Sequence, residues 1–169
     1  MKTLRFIFKY IQYFFTAKTQ HAAHSPFLYD FISKVLNVNS DDQQCKSIEQ
    51  LRKELCQSED SIQITDFGAG SNINNSRTRK VKDVARNSAK NAKFGTLLYR
   101  IIQFYNPKNI LELGTSLGIS TLYLAKANKD SQVYTFEGCP ETAKVAQQNF
   151  DLHSVQNTTI TLGNFNNTL

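Results

Sequence analysis

Residues 110–120 read Ile-Leu-Glu-Leu-Gly-Thr-Ser-Leu-Gly-Ile-Ser. An apolar run that ends in an acid and a glycine, with a second glycine and a hydroxyl just beyond, describes a strand that stops, turns sharply and starts a helix. Gly114 lets the backbone turn and approach a ligand with no Cβ in the way. Gly118 opens a helix whose first amides face the same ligand, and Ser120 adds a hydroxyl at that start. The next β-branched and aromatic run, 132–136, ends at Glu137. In nucleotide-binding α/β folds an acid at that strand end accepts hydrogen bonds from ribose hydroxyls. Strand, glycine loop, helix, strand and terminal acid in this order are more specific than any one of them. The plainer alternative is a parallel sheet with a glycine turn and a solvated Glu.

The loop chemistry separates two cofactor classes. Dinucleotide sites use G-x-G-x-x-G, whose close glycines admit a pyrophosphate. Here Thr115 follows the first glycine and Ser116 takes the place of the second. Glu112 at the strand's end would repel a pyrophosphate but suits a cofactor that carries a sulfonium and an ammonium, as S-adenosylmethionine does.

Around this segment, helical and strand patterns alternate. The spacing predicts helices over 95–105, 120–127 and 141–149 and strands over 109–113, 132–136 and 158–162, an order that argues for a parallel sheet. The first 58 residues read as helical, with amphipathic stretches over 2–17 and 43–56 and a helix start at Ser25-Pro26, where a capping hydroxyl precedes a residue lacking an N–H. A strand over 61–65 leads into a second glycine turn, Asp66-Phe67-Gly68-Ala69-Gly70, which a polar loop follows; it reads as a turn of the N-terminal part rather than the cofactor loop. The expected organisation is a mainly helical, basic extension over 1–93 and an α/β half-domain over 94–169.

Residues 94–169 resemble the class I S-adenosylmethionine-dependent methyltransferases, above all their catechol O-methyltransferase-like branch. That branch opens a helix with K-G, continues with h-L-E-L-G-x-x-x-G-x-S-T, and ends its second strand in Glu and its third in Gly. Gly95, Leu111 to Thr121, Glu137 and Gly163 match in register. The resemblance implies a Rossmann-like fold, methyl transfer from S-adenosylmethionine to an unidentified acceptor, contacts from Glu112 and Ser120 to the methionine part, from Glu137 to the ribose, and Asn164 near the adenine. Gly114, Thr115, Ser116 and Gly118 complete the expected cofactor site. The branch's fourth strand, which carries an acid facing cofactor and often metal, has no counterpart here. The expectation is therefore a partial Rossmann-like sheet of three strands, truncated after the third, with catalytic residues unassigned, doubtful activity alone and an exposed sheet edge open to self-association. The N-terminal part also resembles extensions of some bacterial methyltransferases that read H-x-x-H-S-P-F and D-F-G-A-G-S.

Charge sharpens the choice of partner. The net +6 belongs wholly to residues 1–93, with 15 basic and 9 acidic side chains, whereas 94–169 balance at 5 and 5. Lys82, Arg86, Lys90 and Lys93 fall on one face of a helix expected over 79–93, a solvated face, an entrance for an anionic acceptor, or a grip on nucleic acid, the last not favoured without a recognised motif. The alternative function is a non-catalytic basic RNA- or anion-binding module with a relic cofactor fold. Three cysteines without C-x-x-C fit a reduced, cytoplasmic chain. His21 and His24 lack a third ligand at metal spacing, so no metal is assigned. The run 4–15 is too short and too interrupted to cross a bilayer; its helical apolar stripe fits the protein's own core or a membrane surface.

Overall fold

Caps and left-handed stops set the helix boundaries. In the computed structural model, which describes residues 2–16, 25–38, 42–65 and 78–168, two compact units emerge, residues 1–39 and 40–169. The first holds α1 (Lys2–Thr16) and α2 (Pro26–Phe31), which runs into a π-helical turn, Ile32–Leu36. The Ser25 Oγ accepts from the Leu28 amide at 3.4 Å, and Pro26 occupies the first turn.

The second unit begins with α3 (Gln43–Leu55). The Asp42 carboxylate caps it, accepting from the Gln44 amide at 2.7 Å, and also accepts from the Tyr99 hydroxyl at 2.9 Å. Burial, with Asp42 as acceptor, pushes the Tyr99 hydroxyl well above its ordinary pKa. Short antiparallel strands β1 (Ser61–Gln63) and β2 (Thr78–Lys80) precede α4 (Val81–Ser88) and α5 (Ala92–Tyr105). Periodicity over 79–93 predicts one helix. Instead Ala89 is extended, and the Asn91 side chain caps a new helix by accepting from the Phe94 amide at 3.2 Å. Lys82, Arg86, Lys90 and Lys93 therefore do not share one helical face. Asn106 ends α5 in the left-handed region, with Pro107 behind it.

Strands β3 (Asn109–Leu113), β4 (Gln132–Glu137) and β5 (Thr158–Leu162) form a parallel sheet in the order β3-β4-β5. The crossovers are α6 (Ile119–Ala127) and α7 (Pro140–Leu152), and a short α8 (Phe165–Thr168) follows β5. This is an α/β fold, a three-stranded Rossmann-like sheet beside a mainly helical N-terminal part. One face of the sheet packs Ile110, Val133 and Ile160 against Ile102 of α5, Leu122 and Tyr123 of α6, and Phe150 of α7. Cys45, Ile48 and Leu51 of α3 join that core. On the opposite face Leu111 pairs in register with Tyr134, and Leu111, Leu113 and Tyr134 stay 63%, 55% and 41% exposed. Parallel sheets are normally covered on both faces; among the described residues this one is covered on one. The apolar residues left exposed on β3 are Leu111 and Leu113, whereas Ile110 is buried.

Gly95 shows how tightly the covered face is packed. A Cβ there would lie 2.2 Å from the Tyr123 ring, so the first turn of α5 rests directly on that ring. Burial pushes the Tyr123 hydroxyl up to about 12, and its oxygen has no hydrogen-bond partner. In an open helix Gly→Ala would stabilise by about 1 kcal/mol, but overpacking a rigid aromatic costs roughly 1–3 kcal/mol. Gly95→Ala is therefore expected to lower stability in urea denaturation, and a rise in the midpoint would refute the contact. Tyr123→Phe, which removes an unsatisfied buried hydroxyl, is expected to leave the midpoint unchanged or raise it.

Candidate functional site

The site grows out of the turn between β3 and α6. Gly114, Ser116 and Gly118 all take positive φ, +92°, +49° and +80°. The amides of Gly114 and Thr115 both donate to the Phe136 carbonyl, at 2.9 and 3.0 Å, fastening the turn to the end of β4. The Gly118 amide donates back to the Thr115 carbonyl at 2.9 Å, and the Gly118 carbonyl then accepts from Leu122 as α6 begins.

Two carboxylates flank this turn. Glu112, half-buried on β3, accepts from the hydroxyls of Ser120 at 2.6 Å, Thr121 at 2.5 Å and Thr135 at 2.8 Å. Thr135 stands opposite Glu112 in the strand register and also shares a 2.7 Å hydroxyl contact with Thr115. Glu137 accepts from the Ser116 amide at 2.7 Å through one oxygen and from the Cys139 amide at 2.9 Å through the other. Each oxygen of Glu137 keeps a free lone pair toward further donors.

A cleft of about 490 Å3 opens beside the turn, lined by Glu112, Gly114, Thr115, Ser116 and Ser120 and, from the α4–α5 segment, by Ser88 and Lys90. That volume suits a small-molecule ligand. Glu137 does not line it but joins it through the Ser116 amide. Gly118 is buried away from it: a Cβ there would meet Phe150 at 2.6 Å and Ala146 at 3.1 Å, so this glycine seats α6 on α7. Asn164 follows Gly163 at the end of β5, the strand paired with the Glu137 end of β4, and its side chain accepts from the Asn166 amide at 3.0 Å. The sequence gives no sign of Thr135 and Ser88, and it shows Thr121 only as part of the motif and Lys90 only as part of a basic helical face. An acid-to-threonine pairing becomes visible only once strand register is known. Among the described residues no group of three His, Cys, Asp or Glu could hold a metal ion, and His21, His24 and the second glycine turn lie outside them.

The parallel β3-β4-β5 order, the left-handed glycine turn and the acid-terminated second strand are the arrangement of a Rossmann-like α/β fold. No family model matches the chain. Over 58 residues, 34% of this chain and 26% of the relative, it is 45% identical to a catechol O-methyltransferase of Niastella koreensis. SAH-bound PaMTH1, a methyltransferase of Podospora anserina, has TM-score 0.53 at 16% identity, over 86% of this chain and 53% of that one. Cofactor-bound Rv0187 from MTB gives 0.51 at 19% identity, over 87% and 55%. The two structures establish the fold, and the curated relative bears out the resemblance to the catechol O-methyltransferase-like branch. This chain spans about a quarter of that relative's length and about half of each of the two structures.

The two loop glycines do different work, and substitution separates them. A Cβ at Gly114 would meet nothing within 4 Å, so Gly114→Ala should cost only its left-handed strain, roughly 1–2 kcal/mol. Gly118→Ala adds the collision with Phe150 and should cost roughly 2–4 kcal/mol in all. Urea denaturation of both variants measures the order, and a larger loss for Gly114→Ala would contradict the assignment.

Proposed function

We propose that this chain forms the cofactor-binding half of an S-adenosylmethionine-dependent O-methyltransferase acting in the cytoplasm on an unidentified acceptor; an anionic one would suit the basic N-terminal part. The observation that carries this reading is Glu137, whose two oxygens are fixed by the Ser116 and Cys139 amides at the end of β4. A carboxylate so oriented offers one acceptor to each hydroxyl of a ribose. Gly114 leaves open space where any side chain would intrude, and Glu112 supplies the negative charge that a sulfonium and an ammonium favour. These features fit S-adenosylmethionine, whose chemistry is a methyl group activated on positive sulfur. In this assignment Glu112 and Ser120 face the methionine part, Gly114, Thr115 and Ser116 carry the backbone contacts while Gly118 seats α6 on α7, and Asn164 at the end of β5 lies toward the adenine. Among the described residues no helix is long and apolar enough to cross a membrane.

We place the acceptor and catalytic groups outside residues 1–169, with 94–169 as the cofactor half and 1–93 as an extension that lends α3 and α4 to its core. The support is the bare sheet face, where Leu111 and Leu113 stand exposed on a strand that pairs, among the described residues, on one side only. The reading as a basic RNA- or anion-binding module has less support. Lys80 and Lys82 both pair with Glu59, holding its carboxyl down to about 2, and the basic stretch is divided between α4, a break and α5.

Calorimetry with S-adenosylhomocysteine should show saturable binding to the chain. Glu137→Ala should weaken it by roughly 1.5–3 kcal/mol, the worth of hydrogen bonds to a charged group; unchanged affinity would remove Glu137 from the site. Sedimentation should show the chain self-associating through its bare sheet edge, and Leu111→Lys should reduce that association. A monomeric, cooperatively unfolding chain that turns over S-adenosylmethionine would refute the half-site reading.

A further inference from the structure

We propose that α1 is a membrane-surface helix that lies in the headgroup region of an anionic lipid leaflet. At 100° per residue, Leu4, Ile7, Phe8, Ile11, Phe14 and Phe15 fall on one broad arc of the helix, Arg5, Lys9, Gln12 and Thr16 fall on the other, and Phe6, Tyr10 and Tyr13 lie along one border. All residues from 4 to 16 are exposed, and Leu4, Phe8, Phe14 and Phe15 are 70–80% so. A contiguous apolar surface of this size is rare on a soluble protein and marks a contact surface.

Charge and length select the occupant. Residues 1–29 hold Lys2, Arg5, Lys9 and Lys18 and no Asp or Glu; the first acid is Asp30. A second copy of α1 would bring like charges together, whereas an anionic surface complements them. Nucleic acid would satisfy the cations but leave the Phe, Ile and Leu arc in water. A helix of 15 residues is about 22 Å long, short of the roughly 30 Å hydrocarbon core, so α1 lies along the surface. An apolar arc opposite basic residues, with tyrosines at the boundary, is how interfacial helices divide between acyl chains and headgroups. The inference stands on α1 alone and does not depend on the cofactor assignment.

The chain contains no Trp, so Phe8→Trp places a single reporter on the apolar arc. With vesicles of phosphatidylcholine and phosphatidylglycerol, its emission should shift to the blue and the protein should float with the lipid. Phosphatidylcholine alone should bind far less, and added salt should weaken the anionic binding. Arg5→Glu with Lys9→Glu, both at exposed positions, should lower partitioning on the order of tenfold or more, and Ile11→Asp should abolish the blue shift, while calorimetry with S-adenosylhomocysteine stays unchanged in both. Absence of a shift with anionic vesicles overturns the proposal. So does equal binding to neutral vesicles, and so does an Ile11-dependent dimer that ignores lipid, which would assign the arc to a second copy.

Discussion

The structure depends on a backbone constraint: three left-handed residues within five, at Gly114, Ser116 and Gly118. Parallel strands need a crossover, and here the chain must leave β3, reverse and enter α6 with no room for a longer loop. Two of the three positions are glycine, which takes positive φ without penalty. The third, Ser116, is held there by the Glu137 carboxylate on its amide. The same turn sets the distance between the strand end and α6, and Gly118 beneath Phe150 carries that placement on to α7. The seating of α6 on α7 and the floor of the cleft thus both depend on this turn.

Two carboxylates stand close to this turn with no ion pair to either among the described residues, and helix termini favour them there. Glu112 accepts hydroxyls from the first turn of α6, and Glu137 accepts the amide of Cys139, the residue that caps α7. The positive end of a helix dipole favours an acid there. The two acids differ in what remains. Three hydroxyls occupy most of the Glu112 lone pairs, so it acts mainly as fixed negative charge. Glu137 is fixed by two amides and keeps acceptor capacity on both oxygens, which makes it the side chain suited to reading a pair of hydroxyls.

Most of the α/β half was legible because its elements obey local rules. The strands 109–113 and 158–162 match residue for residue, Ser25 caps as its chemistry requires, and Asn106-Pro107 stops α5. The helix read over 79–93 shows where local rules fail. The basic residues keep helical spacing across the break, but Ala89 is extended and Asn91 finds the Phe94 amide, so capping overrides periodicity. The partners of Glu112 were hidden for another reason: Thr135 reaches it across the strand register, and register is a property of the assembled sheet. Gly95 was visible as part of a motif, yet its reason, the Tyr123 ring against its Cα, lies 28 residues away in the chain.

The charge asymmetry follows from the same division. In residues 94–169 basic and acidic side chains balance, and the basic residue that lines the cleft with Glu112, Lys90, comes from the α4–α5 segment. The excess sits in the first 93 residues, and part of it is already spent: Glu59 takes both Lys80 and Lys82. The first 29 residues hold four basic side chains and no Asp or Glu in sequence, and α1 among them carries an exposed apolar arc. The bare face of the sheet is different. Leu111, Leu113 and Tyr134 present apolar side chains without charge, and among the described residues the outer edge of β3 pairs with no strand, leaving a row of directional backbone groups there. In the proposed half-site reading a strand and helices would complete that surface, whereas a fluid anionic interface would complete α1. The two exposed surfaces therefore demand different partners, because hydrogen-bond geometry governs one and charge with unspecific apolar burial governs the other.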